Sequence, residues 1–548
     1  MSHRPDFAQS GRRPRSAVRM AWFSLTVTVA LVWCVAALVS EPDRVTRARH
    51  IAISLIRSVL PERPASADDA AAMQSVMPPY GINVFLEQEA EEWKVARSLD
   101  LVRMTGSGWI RQQFLWTEVE YPARGQFVDR ATGGVSWAKY DRIVETAGQR
   151  GLSVLFRIDT SPAWARDGEK IESPPHDFAD YARFCGLVAS RYRDRGIAIQ
   201  IWNEPNLSFE WGGHPPRADE YTDLLRAAYT EIKRYAPAMP VVAAALAPTT
   251  EATARGRNDV QYLREMYAAG ARPYFDILAL NLYGLRSGPY DPRGSEHADV
   301  NVSRASLVRA VMVENGDAAK PVWAAEVGWN ALPRGFPAES LWGRVDRLTQ
   351  ARYTAHLIDR ARREWPWIEV LFFWHLRLVA PEGQALQQYY FSLLQDDFTP
   401  YPVYSAIARA IASPVILGPG IRSLDTWPFS SGGAVPSAGG RHGFRFRGSG
   451  VDVVLRPADH IRTLAWRLDG GGTVRVVIPA ARESVVHPLG GGLSGGVHSI
   501  DFEAGPAEIA QISVIARRGI PRIPTDVIPT LGVLALAIAA SLALRANR

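Results

Sequence analysis

The chain has 548 residues, 47% hydrophobic and 22% charged, too many for one average domain and enough to bury a large core. Its net charge of +6 does not describe a nucleic-acid surface: the excess sits at the start, where Arg4, Arg12, Arg13, Arg15 and Arg19 stand against Asp6, and charges beyond are mixed. Two cysteines, Cys34 and Cys185, supply no disulfide framework, which neither requires nor excludes an oxidising compartment.

Residues 1–19 read as a basic tail. Residues 20–39 follow as an apolar run without a charge, long enough for a transmembrane anchor. A cleaved signal peptide has a shorter apolar region and a small-residue site, and Leu31-Val32-Trp33-Cys34 is a poor lipoprotein box because Trp33 is too large, so an uncleaved anchor is expected. Residues 40–75, with Pro61, Pro64 and an Ala/Asp-rich tract, read as a linker. At the far end residues 527–544 are apolar, uncharged and without a polar face, which predicts a second transmembrane helix. Two spans would put both termini on one side of a membrane and everything between on the other; the Arg bias across them is too slight to orient the chain.

Between these ends short apolar runs alternate with helix-period segments, the signature of repeated βα units. Strands are expected at 81–86, 109–114, 152–158, 197–202, 241–246, 275–282, 322–326 and 370–374. Eight strands over 76–412 predict an α/β fold, a (β/α)8 TIM barrel. Phe178, Tyr181, Cys185, Val188 and Tyr192 make one apolar stripe at helical spacing, and Tyr221, Leu224, Leu225, Ala228, Ile232 and Tyr235 make another. Segments after strands are long and those after helices short, as in Asp194-Arg195-Gly196, which places the active face at the strand C-termini. Residues 415–520 change character: short Val/Ile/Phe runs separated by Gly470-Gly471-Gly472 and Gly490-Gly491-Gly492 predict a C-terminal antiparallel β accessory domain with glycine turns.

The chemistry concentrates in Gln200-Ile201-Trp202-Asn203-Glu204-Pro205-Asn206. Pro205 forbids continuation of the strand, so Glu204 faces a cleft at its C-terminal end. Glu326 repeats this setting in Pro321-Val322-Trp323-Ala324-Ala325-Glu326, ended by Val327-Gly328-Trp329-Asn330. A single Glu after a strand is as often a solvated surface group. Two such Glu on strands four and seven, across one barrel mouth, fit glycosidic bond cleavage, which needs one carboxylic acid to protonate the leaving oxygen and one carboxylate at the anomeric carbon. Their separation would decide between retention and inversion.

These motifs resemble glycoside hydrolase clan A, family 39 best and family 5 next, over residues 78–412. The segment from Trp109 through Arg111 to Glu120 resembles their strand two, and Thr160-Ser161-Pro162-Ala163-Trp164-Ala165 their strand-three loop. The resemblance implies a retaining double displacement with Glu204 as acid/base and Glu326 as nucleophile. It implies Arg111 holding the nucleophile, Tyr283 donating to the same carboxylate, Asn203 reaching the sugar 2-hydroxyl, and Trp374 flooring the site. Asn281 departs from the family: many relatives carry His there, and Asn can bond a hydroxyl but does not titrate near neutrality. Trp164, Trp211, Trp329 and Trp374 fall in or beside βα loops where indoles can stack on sugars, with core packing an equal reading for each. His214 and His375 read as polar lining or loop residues.

No metal spacing and no nucleotide fingerprint is present, so no cofactor is expected. The expected partners are an oligo- or polysaccharide substrate, the membrane, and polysaccharide synthesis or export machinery; no nucleic acid is expected. Tethering at both ends points to a cell-envelope or exported polymer and an extracytoplasmic catalytic domain, and β-linkages are expected in that polymer. A transglycosylase and a catalytically silent carbohydrate-binding scaffold remain alternatives. The loops at 284–300 and 377–395 are expected to set specificity.

Overall fold

The computed structural model describes residues 79–515, apart from 167–169, 297–298, 366, 381–382, 414–415, 418–419, 424–441, 494–495 and 505–508. The basic tail, the linker up to residue 75 and the spans expected at 20–39 and 527–544 lie outside the described residues. Within the described residues no helix is long and apolar enough to cross a membrane.

Eight parallel strands close a barrel in chain order: β1 (Tyr80–Val84), β2 (Trp109–Leu115), β3 (Ser153–Asp159), β4 (Ile197–Ile201), β5 (Val241–Leu246), β6 (Ile277–Tyr283), β7 (Val322–Gly328) and β8 (Ile368–Phe373). Each is followed by its helix: α1 (Glu92–Met104), α2 (Ala138–Gly148), α3 (Phe178–Arg191), α4 (Ala218–Tyr235), α5 (Asp259–Ala268), α6 (Ala305–Glu314), α7 (Arg347–Glu364) and α8 (Pro402–Ala412). The expected TIM barrel is present. Three strands, β1, β4 and β8, stop short of their expected C-terminal ends, and β2, β3, β6 and β7 run one or two residues beyond theirs. Leu86 leaves β1 for a 3-10 turn, where its N–H donates to Gln112 Oε1 at 3.0 Å. β4 stops at Ile201 because Trp202 turns left-handed, with φ 68°. β8 stops at Phe373, one residue before Trp374.

Helix starts follow local chemistry. Asp177 caps α3 by accepting from Ala179 N, Asn258 caps α5, and Asp346 caps α7. The apolar stripes face inward: Tyr181, Cys185 and Val188 on α3, and Tyr221, Leu224, Leu225, Ala228 and Ile232 on α4, are fully buried. Their tyrosines also tie each helix to the end of the preceding strand. Tyr140 Oη accepts from Leu115 N at 3.0 Å, Tyr181 Oη donates to Ile158 O at 2.7 Å, and Tyr221 Oη donates to Ile201 O at 3.0 Å. Buried hydroxyls thus bond backbone groups at strand ends, the level at which the site is built.

The barrel interior is apolar at its floor, where Trp109 and Trp323 pack edge to face at 4.9 Å and Trp323 meets Phe372 at 5.7 Å. Gly81 makes room for this layer, since a Cβ there would lie 2.4 Å from Phe372 Cδ1. Toward the C-terminal ends the interior becomes polar, with Asn83, Arg111, Arg157, Gln200, Asn281 and Glu326. Glu326 enters through a bulge: β7 loses register on both sides, pairing Ala324 with Leu280 but Glu326 with Asn281.

Beyond the barrel the described residues hold nine strands, β9 (Ile416–Leu417), β10 (Gly420–Ser423), β11 (His442–Arg447), β12 (Gly450–Leu455), β13 (Arg462–Leu468), β14 (Val474–Ile478), β15 (Val485–Gly491), β16 (Val497–Ala504) and β17 (Ile509–Ile515). They form two sheets, ordered β10-β17-β12-β15 and β14-β13-β16-β11-β9, around a second core that includes Phe446, Val453, Trp466, Ile500 and Ile512. The pairing is antiparallel as expected, except that β9 (Ile416–Leu417) and β11 (His442–Arg447) run parallel. Gly470-Gly471-Gly472 joins β13 (Arg462–Leu468) to β14 (Val474–Ile478) as a turn. Gly490 and Gly491 differ from the expected turn: they end β15 (Val485–Gly491), paired with Val451 and Gly450.

Candidate active site

The sequence from Trp202 to Asn206 is stitched across three strands. Trp202 N donates to Ile158 O at 3.1 Å and Glu204 N to Ala245 O at 3.1 Å. Asn206 fixes the exit, its amide donating to Ala247 O at 2.9 Å and accepting from Ala247 N at 2.9 Å. Trp202 and Glu204 both have positive φ, 68° and 36°, a strained conformation for residues with side chains that this bonding overrides. The Trp202 indole is buried and donates to Glu210 O at 2.8 Å, drawing Glu210 back to the barrel mouth.

Glu326 is buried and ion-paired: Arg111 Nη1 lies 2.7 Å from Oε1, and Tyr283 Oη donates to Oε2 at 2.5 Å. Arg111 is itself fixed by three further acceptors, Gln200 Oε1 at 3.0 Å, Asn83 Oδ1 at 2.8 Å and Asn203 Oδ1 at 3.2 Å. Asn83 in turn donates to Ala325 O at 2.9 Å, so the guanidinium is anchored to the strand that carries Glu326. Arg157 Nη1 stands 3.9 Å from Glu326, and its Nε pairs with Asp159 at 2.7 Å.

Glu204 has no guanidinium bonded to it among the described residues. Asn281 Nδ2 donates to its Oε1 at 2.6 Å. Burial first, then the charges of Glu326 and Glu210, hold its carboxyl well above the usual carboxylate range, against Asn281 and Arg111. Burial likewise pushes Glu210 up to about 7, against Arg157, with Asp159 and Glu326 adding to the rise. Two guanidiniums, Arg111 and Arg157, thus face four carboxyls. Arg111 is bonded to Glu326 and Arg157 to Asp159, which burial also raises, against Arg157; Glu204 and Glu210 have no bonded guanidinium among the described residues, and burial holds their protons to higher pH. Tyr283 keeps its proton as well, because burial and then Glu326 and Glu204 raise its phenol well above its usual value.

The structure therefore brings together six residues singled out in the sequence: Asn203, Glu204, Arg111, Tyr283, Asn281 and Glu326. Trp374 lies just past β8, half-buried and edge to face with Phe85 at 5.6 Å. Trp164 sits on a 3-10 turn after β3, where its indole donates to Glu120 O at 3.0 Å and packs edge-on against Trp116; no hydrogen bond joins it to either carboxylate among the described residues. Trp211 and Trp329 are buried packing residues, with indoles donating to Glu220 and to Ser287 O. His375 is buried and lowered to about 4 by desolvation, so it is neutral near pH 7, with Nε2 facing Gln388 O at 3.1 Å.

Sequence reasoning passed over Asn83, Arg157, Asp159 and Glu210, and gave Gln200 no role within its motif. Alternation held the signal for two of them: Leu155, Arg157 and Asp159 occupy every second position of an otherwise apolar strand. Among the described residues no cluster of His, Cys, Asp and Glu could hold a metal ion.

No family model and no curated protein matches the sequence. Solved structures resemble the fold. A family 39 glycoside hydrolase from the gut symbiont Bacteroides cellulosilyticus WH2 gives TM-score 0.48 at 17% identity, covering 80% of this chain and 82% of that one. A family 5 subfamily 18 glycoside hydrolase from Streptomyces cattleya gives TM-score 0.48 at 19% identity, covering 62% and 82%. Endoglucanase Cel5A from Thermotoga maritima gives TM-score 0.41 at 14% identity, covering 62% and 99%. Families 39 and 5, the two named from the sequence, both stand among these structures.

Proposed function

We propose that this chain is a retaining glycoside hydrolase working by double displacement. The observation that carries the reading is the division of labour in one mouth: Glu326 is ion-paired, bonded by Arg111 and Tyr283, while Glu204 has no bonded guanidinium among the described residues and burial holds its carboxyl above the usual range, as an acid that delivers a proton requires. Glu204 donates that proton to the glycosidic oxygen as the bond to the anomeric carbon breaks, and Glu326 attacks the same carbon from the opposite face. The glycosyl-enzyme is then cleaved by a water that gives its proton to Glu204. Tyr283 and Arg111 keep Glu326 oriented and take up its charge as it leaves. Asn203, already held by Arg111, bonds the 2-hydroxyl; Trp374 and Asn281 border the sugar.

The substrate in this reading is a β-linked cell-envelope or exported polysaccharide, met outside the cytoplasm by a domain tethered to the membrane. Support for the tether is the pair of apolar runs at 20–39 and 527–544. The test is reducing-end release from a panel of β-linked polysaccharides and from the producing cell's envelope glycans, with Glu326→Gln in parallel. Release by the wild type alone is expected. No release by either, with both folded and binding the same glycan equally, would replace the enzyme with a glycan-binding scaffold.

A further inference from the structure

A cleft of about 680 Å³ is lined by the loops after β6, β7 and β8 and by the first turn of α7, and neither Glu204 nor Glu326 borders it. Four arginines do: Arg286, Arg334, Arg344 and Arg347. The carboxylate among them, Asp346, is engaged as the α7 cap, accepting from Leu348 N, Thr349 N and the Thr349 hydroxyl. Arg286, Arg334 and Arg344 are exposed, and no ion pair engages them among the described residues. Arg347 is locked in place, stacked on Tyr401 at 3.6 Å and donating to Tyr390 O at 3.1 Å.

Four arginines against one carboxylate leave the lining of the cleft net positive, which favours an anion there. Guanidinium forks match a carboxylate in a bidentate manner, and the cleft also presents Tyr353, Tyr389 and Tyr390, amphipathic rings suited to a sugar face. Its wall reaches the active site through Phe391, which follows the lining residue Tyr390 and packs edge to face against Tyr283 at 5.5 Å. The loops that line it leave the strand ends carrying Tyr283 and Glu326 and include Trp374, and Ala331 and Leu332 on its wall follow Glu326 closely in the same segment. We propose that this cleft is a subsite for an acidic sugar unit, which makes the substrate a carboxylate-bearing, uronate-type polysaccharide. This rests on the glycosidase reading above.

The test measures equilibrium binding by the full chain to β-1,4-oligoglucuronate and β-1,4-oligomannuronate against cello- and manno-oligosaccharides of equal length, their carboxyl-free counterparts, at low and high salt. The acidic member of at least one pair is expected to bind about tenfold or more tightly, less so in high salt. The double variant Arg334→Ala with Arg344→Ala is expected to remove the preference, and Arg286→Ala to weaken it independently, while turnover of a short aryl β-glycoside is unchanged. Equal affinity within both pairs overturns the subsite. So does displacement of the acidic sugar by equimolar inorganic phosphate, which would mark a simple anion site. The two readings fail separately: acid-dependent binding without cleavage keeps the subsite and removes the enzyme, whereas aryl-glycoside turnover without acid preference does the reverse.

Discussion

Four carboxyls and two guanidiniums share the barrel mouth, and what each carboxyl can do follows from which of them a guanidinium reaches. Arg111 reaches Glu326 and Arg157 reaches Asp159, while Glu204 and Glu210 are left to titrate against burial. Glu210 therefore acts on Glu204 through its charge as a positioning residue. The sign follows from linkage: Glu204 works as an acid while protonated, activity falls as pH rises through its raised pKa, and a negative neighbour delays that loss. Glu210→Gln is expected to move the alkaline limb of the kcat/KM profile to lower pH by about 0.5–1 unit, with the acid limb in place. A limb that does not move would show that Glu210 carries no charge felt by Glu204. The same residue marks where sequence reading stopped. Glu204 and Glu326 were legible because each lies in a local motif, whereas Glu210 reaches the site through a tertiary bond, from the Trp202 indole to its backbone.

At the scale of elements, the site depends on strand ends being held. Tyr140, Tyr181 and Tyr221 do this for β2, β3 and β4 through buried hydroxyls. On the opposite wall a packing contact serves the purpose: a Cβ on Gly284, next after Tyr283, would fall 1.9 Å from the Trp329 ring, whose indole is bonded to Ser287 O. Gly284→Ala is expected to cost about 1–3 kcal/mol of stability in denaturant unfolding by forcing Trp329 aside, and to lower kcat through Tyr283. An unchanged midpoint would mean that the two loops do not pack as described. The apolar runs gave all eight strands because barrel strands are buried on both faces, leaving short continuous stretches of Val, Ile, Leu and Ala. Their ends were less legible, since Leu86 and Trp202 leave the sheet for reasons outside their own segments: a bond to Gln112 and a left-handed turn. The bulge that brings Glu326 inward has no mark in Ala324-Ala325-Glu326.

The whole molecule separates supporting and reacting parts. The described residues hold two apolar cores, one in the barrel and one between the sheets of residues 416–515, and every bonded group around Glu204 and Glu326 belongs to the barrel. Residues 79–412 thus contain the proposed chemistry, and the expected spans at 20–39 and 527–544 would bear on where it acts. The most direct test of the central claim is covalent trapping. The full chain is incubated with a panel of 2,4-dinitrophenyl 2-deoxy-2-fluoro-β-glycosides, which slow release of the glycosyl-enzyme, and digested for mass spectrometry. One glycosyl adduct on Glu326, absent in Glu326→Gln, is the predicted result. An adduct on Glu204 or Glu210, or substrate turnover with no adduct from any member of the panel, would contradict it.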